Sequence, residues 1–444
     1  MSRLPLISRQ ADEPLALIDQ RSISAGQFLY QAGYLAERLP RGRHVINLCQ
    51  DRYHFSLSFA AAIMAGRTTL LPPNRLPATI NGLLERYPGS RVISDRTIPG
   101  LPRASVDPVS ASLLESSTSL VPMIDAELPA AVVFTSGSTG PSSSIQKPWR
   151  TLHHSSLINA AEYGPGPALT YTVATVPAQH MWGLETSVLM PWFAPVCMST
   201  GQPFFAADIL AELARLPRPR ALISTPVHLR SLAESGLEML AIDYIYSATA
   251  PLGSPLAARL EAATGAELRE IYGCSEAGCL ARRRAAGDEP WQLFAAFDLE
   301  TEGPRHRVVA AHLPEPVTLF DQIKLEADGR FRLAGRDQDQ VNIAGKRASL
   351  VDLTQTLLEI PGVVDGVIFQ PEDSERGPVA RLAALVVAPG LEAAEIRRQL
   401  SRRIDAAFMP RPLRRVAALP RAESGKLPRQ ALDSFVRQAC EPAE

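Results

Sequence analysis

Through the middle of the chain, short apolar runs alternate with segments whose apolar residues recur at helical spacing. Between 171 and 272 the pattern reads strand 171–177, helix 180–193, helix 206–216, strand 220–225, strand 242–247, helix 254–263 with Ser254 as its cap, and strand 267–272. Unbroken apolar runs bounded by turn residues predict strands buried on both faces, and the 3.6-residue period predicts helices that cover them. The N-terminal third opens in the same way, with helix 24–39, strand 44–48, helix 54–65 and strand 69–71. The alternation predicts an α/β fold whose large N-terminal part has mostly parallel sheets covered by helices.

The grain changes at the polar run Arg336-Asp337-Gln338-Asp339-Gln340. Beyond it the pattern reads helix 351–360, strands 363–370 and 381–387, helix 391–408 and strand 414–419, a small α+β unit. The expected division is a large domain at 1–337 and a small C-terminal domain at 338–444.

Composition narrows the function classes. With 444 residues and 46% apolar content the chain can bury full cores, and a net charge of −1 leaves no electrostatic footprint for nucleic acid or acidic membranes. The cluster Arg282-Arg283-Arg284 reads as a solvated face. Five cysteines (Cys49, Cys197, Cys274, Cys279, Cys440) form no CxxC pair, and the eight histidines form no HExxH, so neither a disulfide framework nor a zinc site is expected. The apolar runs, such as 59–65, are far short of a membrane span. A cytoplasmic location is the expectation.

Four constellations carry candidate chemistry. After the apolar run 130–134 comes Thr135-Ser136-Gly137-Ser138-Thr139-Gly140, where glycines permit close backbone approach and hydroxyls add donors for a polyphosphate. Followed by Pro141-Ser142-Ser143-Ser144, it reads equally as a flexible linker. It is not a Walker loop, because the second glycine and its adjacent lysine are missing; the first lysine is Lys147. The second constellation, Tyr272-Gly273-Cys274-Ser275-Glu276, ends a strand and offers a carboxylate suited to Mg²⁺, or forms an ordinary surface turn. Upstream of it, Ser247-Ala248-Thr249-Ala250 closes another strand with small residues. The third is Gly335-Arg336 with Asp339, and the fourth is Gly425-Lys426 near the C-terminus.

In this order the four resemble the adenylate-forming enzymes: acyl- and aryl-CoA synthetases, luciferases and the adenylation domains of peptide synthetases. The T-S-G-S-T-G signature is matched at 135–140, Y-G-x-[TS]-E at 272–276, G-R-x-x-D at 335–339 and G-K at Gly425-Lys426. The resemblance implies a mobile C-terminal lid and a reaction of a small carboxylic acid with ATP and Mg²⁺. It yields an acyl-adenylate and pyrophosphate, then passes the acyl group to a phosphopantetheine thiol on an acyl carrier protein or CoA.

By motif position, Thr135, Ser136, Gly137, Ser138, Thr139 and Gly140 would grip pyrophosphate, with Lys147 in support. Glu276 would hold Mg²⁺, and Lys426 would bridge the attacking carboxylate and the α-phosphate. Asp321 and Arg336 would hold the ribose, and Tyr272 would stack near adenine. Ala248, Thr249, Ala250, Gly273 and Ser275 would line the adenine and acyl slots, His180 and Trp182 the carboxylate pocket, and Gln338 would be the hinge.

Three departures stand out. Lys147 follows the loop later than is usual, Leu319-Phe320 stand where Thr-Gly usually precedes the aspartate, and Gln338 replaces an Asp or Lys. The shortness of the chain, the segment 47–53 and Leu70-Leu71-Pro72-Pro73 resemble the short ligases of aryl-polyene and xanthomonadin-type pigment pathways, which deliver a hydroxybenzoate-like acid to an acyl carrier protein. A CoA ligase and a catalytically inactive nucleotide-binding protein are the alternatives. No nucleic-acid partner and no membrane span are expected.

Overall fold

The computed structural model describes residues 2–39, 41–101, 106–108, 115–134, 144–303, 305–336, 339–343, 346–371, 381–421, 425, 427 and 432. Two sheets dominate it. The smaller has the order Ser144–Pro148, Pro129–Phe134, Thr68–Leu71, His44–Asn47, Arg91–Ser94, Val106–Pro108. Its pairs are parallel except at the edge, where Ser144–Pro148 runs antiparallel to Pro129–Phe134. The larger has nine strands, and its parallel centre runs Glu267–Cys274, Tyr244–Ser247, Arg220–Ser224, Thr170–Ala174, Val196–Ser199, Pro14–Ile18. Mostly parallel sheets covered by helices are the architecture the alternating pattern predicts.

The main core lies between the sheets. Val45, Ala131 and Val133 of one sheet and Leu15, Ala16 and Met198 of the other join Phe28, Phe59, Trp149 and Trp192 from helices. The helix Ala25–Arg38 starts at Ser24 through a reciprocal capping box with Gln27, and Arg52–Met64 starts at Asp51, whose carboxylate accepts from the His54 N–H at 3.0 Å. A separate core gathers Val341, Leu353, Leu357, Ile368, Val386, Ile396 and Leu413 around the sheet Asp365–Phe369, Ala383–Val387, Leu413–Arg415.

Several boundaries differ from the sequence reading, each for a local reason. The helix read at 180–193 is interrupted by a π segment, Leu184–Leu189, between Met181–Gly183 and Met190–Phe193. Thr186 and Ser187 donate their hydroxyls back to the carbonyls of Trp182 and Gly183, and the same Ser187 hydroxyl accepts from the buried Arg52. Gly253, rather than Ser254, occupies the cap of Ser254–Thr264, because Pro255 fixes the first turn. The helix read at 391–408 ends at Leu400; Asp405 accepts from the Ala407 N–H and starts a separate 3₁₀ turn at Ala406–Phe408. The strand read at 267–272 continues to Cys274 and folds back as Gly278–Arg284. On that returning strand Arg283 is not a solvated charge, since it donates to the buried Glu270 carboxylate at 2.7 Å.

No helix among the described residues is long and apolar enough to cross a membrane.

Two glycines test the packing. A Cβ on Gly183 would lie 2.0 Å from the Pro177 carbonyl oxygen, whereas Gly82, exposed in the helix Pro77–Arg86, has open space. Gly183→Ala is expected to lose about 1–3 kcal/mol, and Gly82→Ala to gain about 0.4–1 kcal/mol. Urea unfolding midpoints check both.

Candidate active site

In a parallel sheet the loops after successive strands emerge on one edge, and ligands of open α/β sheets bind outside the carboxyl ends. Here that edge carries the segments following Ala174, Ser224, Ser247 and Cys274. His180 and Trp182 follow the first strand, and the Trp182 indole N–H donates to the Ser224 carbonyl at 3.3 Å, tying this helix to the end of the next strand. Arg52 fixes the same edge from beneath. Fully buried, it donates to the carbonyls of Ala174 and Val176, each at 2.9 Å, and burial pulls its pKa down only to about 10, so it stays charged. Its role was not legible, since a buried arginine inside a helical pattern looks like any surface one.

Ala248 is buried at the end of Tyr244–Ser247, and Thr249 beside it has φ +82°. A β-branched residue in that region stores strain on the order of 1–3 kcal/mol, which marks positions where surrounding structure dictates the backbone. Ala250 follows, exposed.

The second constellation forms the tip of a β-hairpin. Gly273 permits the turn: a Cβ there would meet the Gly278 carbonyl oxygen at 2.3 Å. Ser275 is half-buried and the Glu276 side chain is exposed at the tip. Tyr272, on the incoming strand, donates its hydroxyl to Asp321 Oδ2 at 2.7 Å, and its ring packs on Trp291 and Phe331. Asp321 in turn faces Arg336 across the hairpin formed by Asp321–Leu325 and Phe331–Arg336. Tyr272, Asp321 and the Arg336 backbone, far apart in sequence, are thus one cluster. That hairpin, and the sheet Asp298–Glu302, Arg305–Val309, Val317–Leu319 before it, were not read from the sequence because their short strands are largely exposed and carry no continuous apolar run.

Lys147 lies on the edge strand opposite Ala131, buried, and donates to the Glu276 backbone carbonyl. Burial lowers its pKa below the ordinary lysine value, against the opposing pull of Glu185, Cys274 and Glu276. The ammonium therefore ties the edge strand to the Glu276 hairpin, which links the residue read as a support for the phosphate loop to the second constellation. Glu185, in the π segment, is the partner the sequence did not reveal. Its Oε2 accepts from the Cys279 N–H at 3.1 Å and from the Cys279 thiol at 3.2 Å, and Tyr163 donates to that sulfur at 3.5 Å. Burial pushes the Glu185 carboxyl up to about 7.

The small unit reaches the same edge. Gly425, at φ +78°, lies so close to Thr225 that an added Cβ would sit 3.3 Å from its Oγ1. The loop Thr135 to Gly140, Gln338 and Lys426 lie outside the described residues. The described chain ends before that loop at Phe134 and resumes at Ser144 on the edge strand, which pairs with Pro129–Phe134 and carries Lys147. A single exposed carboxylate at Glu276 fits Mg²⁺, which takes its remaining oxygens from phosphate and water.

The Glu185 value carries a sign. It lies above the ordinary 4.5, so the folded chain binds this proton more tightly than the unfolded one. The associated stability is complete below that ordinary value and is lost as pH rises through about 7. Glu185→Gln, neutral throughout, is expected to lose less stability than the wild type between acid and mildly alkaline pH; urea midpoints on either side of neutrality check this.

Known proteins resemble this chain in sequence and in fold. The model of the AMP-binding enzyme family matches residues 7–296. The chain is 29% identical over 314 residues to a 4-coumarate–CoA ligase of Rhodobacter capsulatus, covering 68% of this chain and 75% of the relative. It is 20% identical over 318 residues to a 3,4-dihydroxybenzoate–[aryl-carrier protein] ligase of Bacillus anthracis, covering 69% and 74%. Its fold superimposes on ATP-bound MatB from Rhodopseudomonas palustris with a TM-score of 0.77 at 19% identity, covering 97% of each chain. With the family match spanning most of its length, the chain belongs to the AMP-binding enzyme family, as an AMP-forming acid–thiol ligase.

Proposed function

We propose that this ligase activates an aromatic, hydroxybenzoate-like acid as its adenylate and passes the acyl group to the phosphopantetheine thiol of an acyl carrier protein. The observation that carries the reading is the Tyr272–Asp321 hydrogen bond, with the Arg336 backbone paired to Asp321 across the hairpin, which brings together three motif positions far apart in sequence. An aromatic acid is supported by the small residue Ala248, which shares a buried cluster with Trp182, and by the acids named in its relatives, 4-coumarate and 3,4-dihydroxybenzoate. A carrier protein is supported by the second relative and by the likeness to short pigment-pathway ligases; the CoA ligase among the relatives favours CoA as the second reading.

In the first half-reaction a carboxylate oxygen attacks the α-phosphorus in line. The new C(O)O–P bond forms as the bond to the β-phosphate's bridging oxygen breaks, and pyrophosphate leaves with that oxygen. Negative charge grows on the transferring group and requires preorganised cations and donors. Asp321 and Arg336 are assigned to the ribose hydroxyls, Tyr272 to the adenine side, and the hydroxyls and amides of Thr135 to Gly140 to the departing pyrophosphate. Glu276 would hold Mg²⁺, which when bound offsets phosphate charge. Lys426 is assigned to the attacking carboxylate and the α-phosphate, a task suited to a compact point charge. His180 and Trp182 are assigned to the acid pocket. Residues 338–444 are assigned to a lid turning about Gln338, which withdraws Lys426 before thiol attack.

Acid-dependent ATP–pyrophosphate exchange tests the first step; aromatic acids are expected to outperform short- and long-chain ones, and a lack of exchange with any acid would overturn the reading. Lys426→Ala is expected to cost about 10²–10³-fold in exchange while equilibrium dialysis still shows ATP bound. Offering the preformed adenylate to CoA and to a holo carrier protein, and comparing the rates of thioester formation, separates the two acceptors.

A further inference from the structure

The chain just before Lys426 is held by an arrangement that no sequence motif announced. Arg421 makes a two-point contact with Asp365: its Nε donates to Oδ2 at 2.7 Å and its Nη2 to Oδ1 at 2.6 Å. Its remaining terminal nitrogen, Nη1, donates to the Gly425 carbonyl oxygen at 2.9 Å. That carbonyl belongs to the peptide group joining Gly425 to Lys426. One guanidinium therefore locks the peptide plane directly before the lysine to a carboxylate at the start of the strand Asp365–Phe369. Both side chains are about one-fifth exposed or less, and a bidentate Arg–carboxylate pair shielded in this way is strong and directional.

The surroundings supply the rest of the frame. Leu419 and Leu427 pack into a small cluster with Phe369, Ala383 and Leu385 of the sheet. Gly425, in the left-handed region, presses on Thr225 at the carboxyl edge of the large sheet. Arg230, on the helix that follows Thr225, donates to the Leu358 carbonyl at 2.9 Å. Gly425 is thus held by Arg421 through its carbonyl and set against the large sheet at Thr225.

We infer that the Arg421–Asp365 pair is a positioning device for Lys426, serving the adenylation half-reaction and not the thiol-transfer one. The inference rests on the assignment of Lys426 in the proposed function. An ammonium bridging two oxygens across a bond-forming centre must be held to within a fraction of an ångström, and about 1 Å of misplacement costs on the order of 10²-fold in rate. Thiol attack on an existing adenylate does not use that lysine, so a loosened loop leaves it unaffected.

The test uses the full chain with Arg421→Lys and Asp365→Asn. Each variant keeps size and polarity but removes the two-point geometry or its charge. Pyrophosphate exchange is measured with the acid that the wild type uses best, and thioester formation is measured separately from that acid's synthetic adenylate. The expected result is a loss of about 10²-fold in exchange, mainly in kcat, with thioester formation within about twofold of wild type. Retained thiol transfer also shows that the variants are folded. Unchanged exchange, or an equal loss in both half-reactions, overturns the positioning role and leaves the assigned activity standing. Absence of exchange in the wild type itself overturns both.

Discussion

A buried ammonium joins the two sheets. Lys147 stands on the edge strand of the six-stranded sheet, and its hydrogen-bond acceptor, the Glu276 carbonyl, stands at the tip of a hairpin in the nine-stranded one. A charge removed from water is costly unless it is paired and hydrogen-bonded. That cost is met by the carbonyl and by the nearby field of Glu185, itself tied to Cys279 on the same hairpin. The hairpin is consequently gripped from both sides, by Lys147 at its tip and by Glu185 behind its returning strand. Every group assigned to nucleotide handling on that hairpin, from Tyr272 to Glu276, inherits its position from this grip.

Rigidity at the edge comes from groups that never face a ligand. Arg52 holds the carbonyls after Thr170–Ala174 and the π segment together, and the glycines Gly183 and Gly273 allow backbone approaches that a single methyl would block. Thr249 keeps its left-handed backbone directly after the buried Ala248, at the end of its strand. The site is built by constraining main chain first and presenting side chains second.

The parts of this design legible in the sequence were those with a local signature. Parallel strands announced themselves as apolar runs, and the tip at 272–276 as a motif. What escaped were relationships made by three-dimensional proximity. The Tyr272–Asp321 contact links separate sheets, Glu185 looked like one carboxylate among many, and Arg421 was simply part of a basic segment. Lys147 was recognised as a support for the loop, but its bond to the Glu276 carbonyl was not, because a motif gives order along the chain and not the direction in which a side chain leaves its strand. The exposed strands at 298–336 lacked the apolar density that would have separated them from loop.

The edge hairpin that carries Lys147 also bears on how such a protein tolerates change. Because Ser144–Pro148 pairs with Pro129–Phe134 in fixed register, with Lys147 opposite Ala131, the lysine's location is set by cross-strand pairing and not by its distance from the glycines. The hairpin acts as a length buffer: residues can be gained or lost between Phe134 and Ser144 during evolution while the ammonium stays on its carbonyl. Cross-strand register, and not the count of residues between Phe134 and Ser144, is what sets Lys147 against its carbonyl.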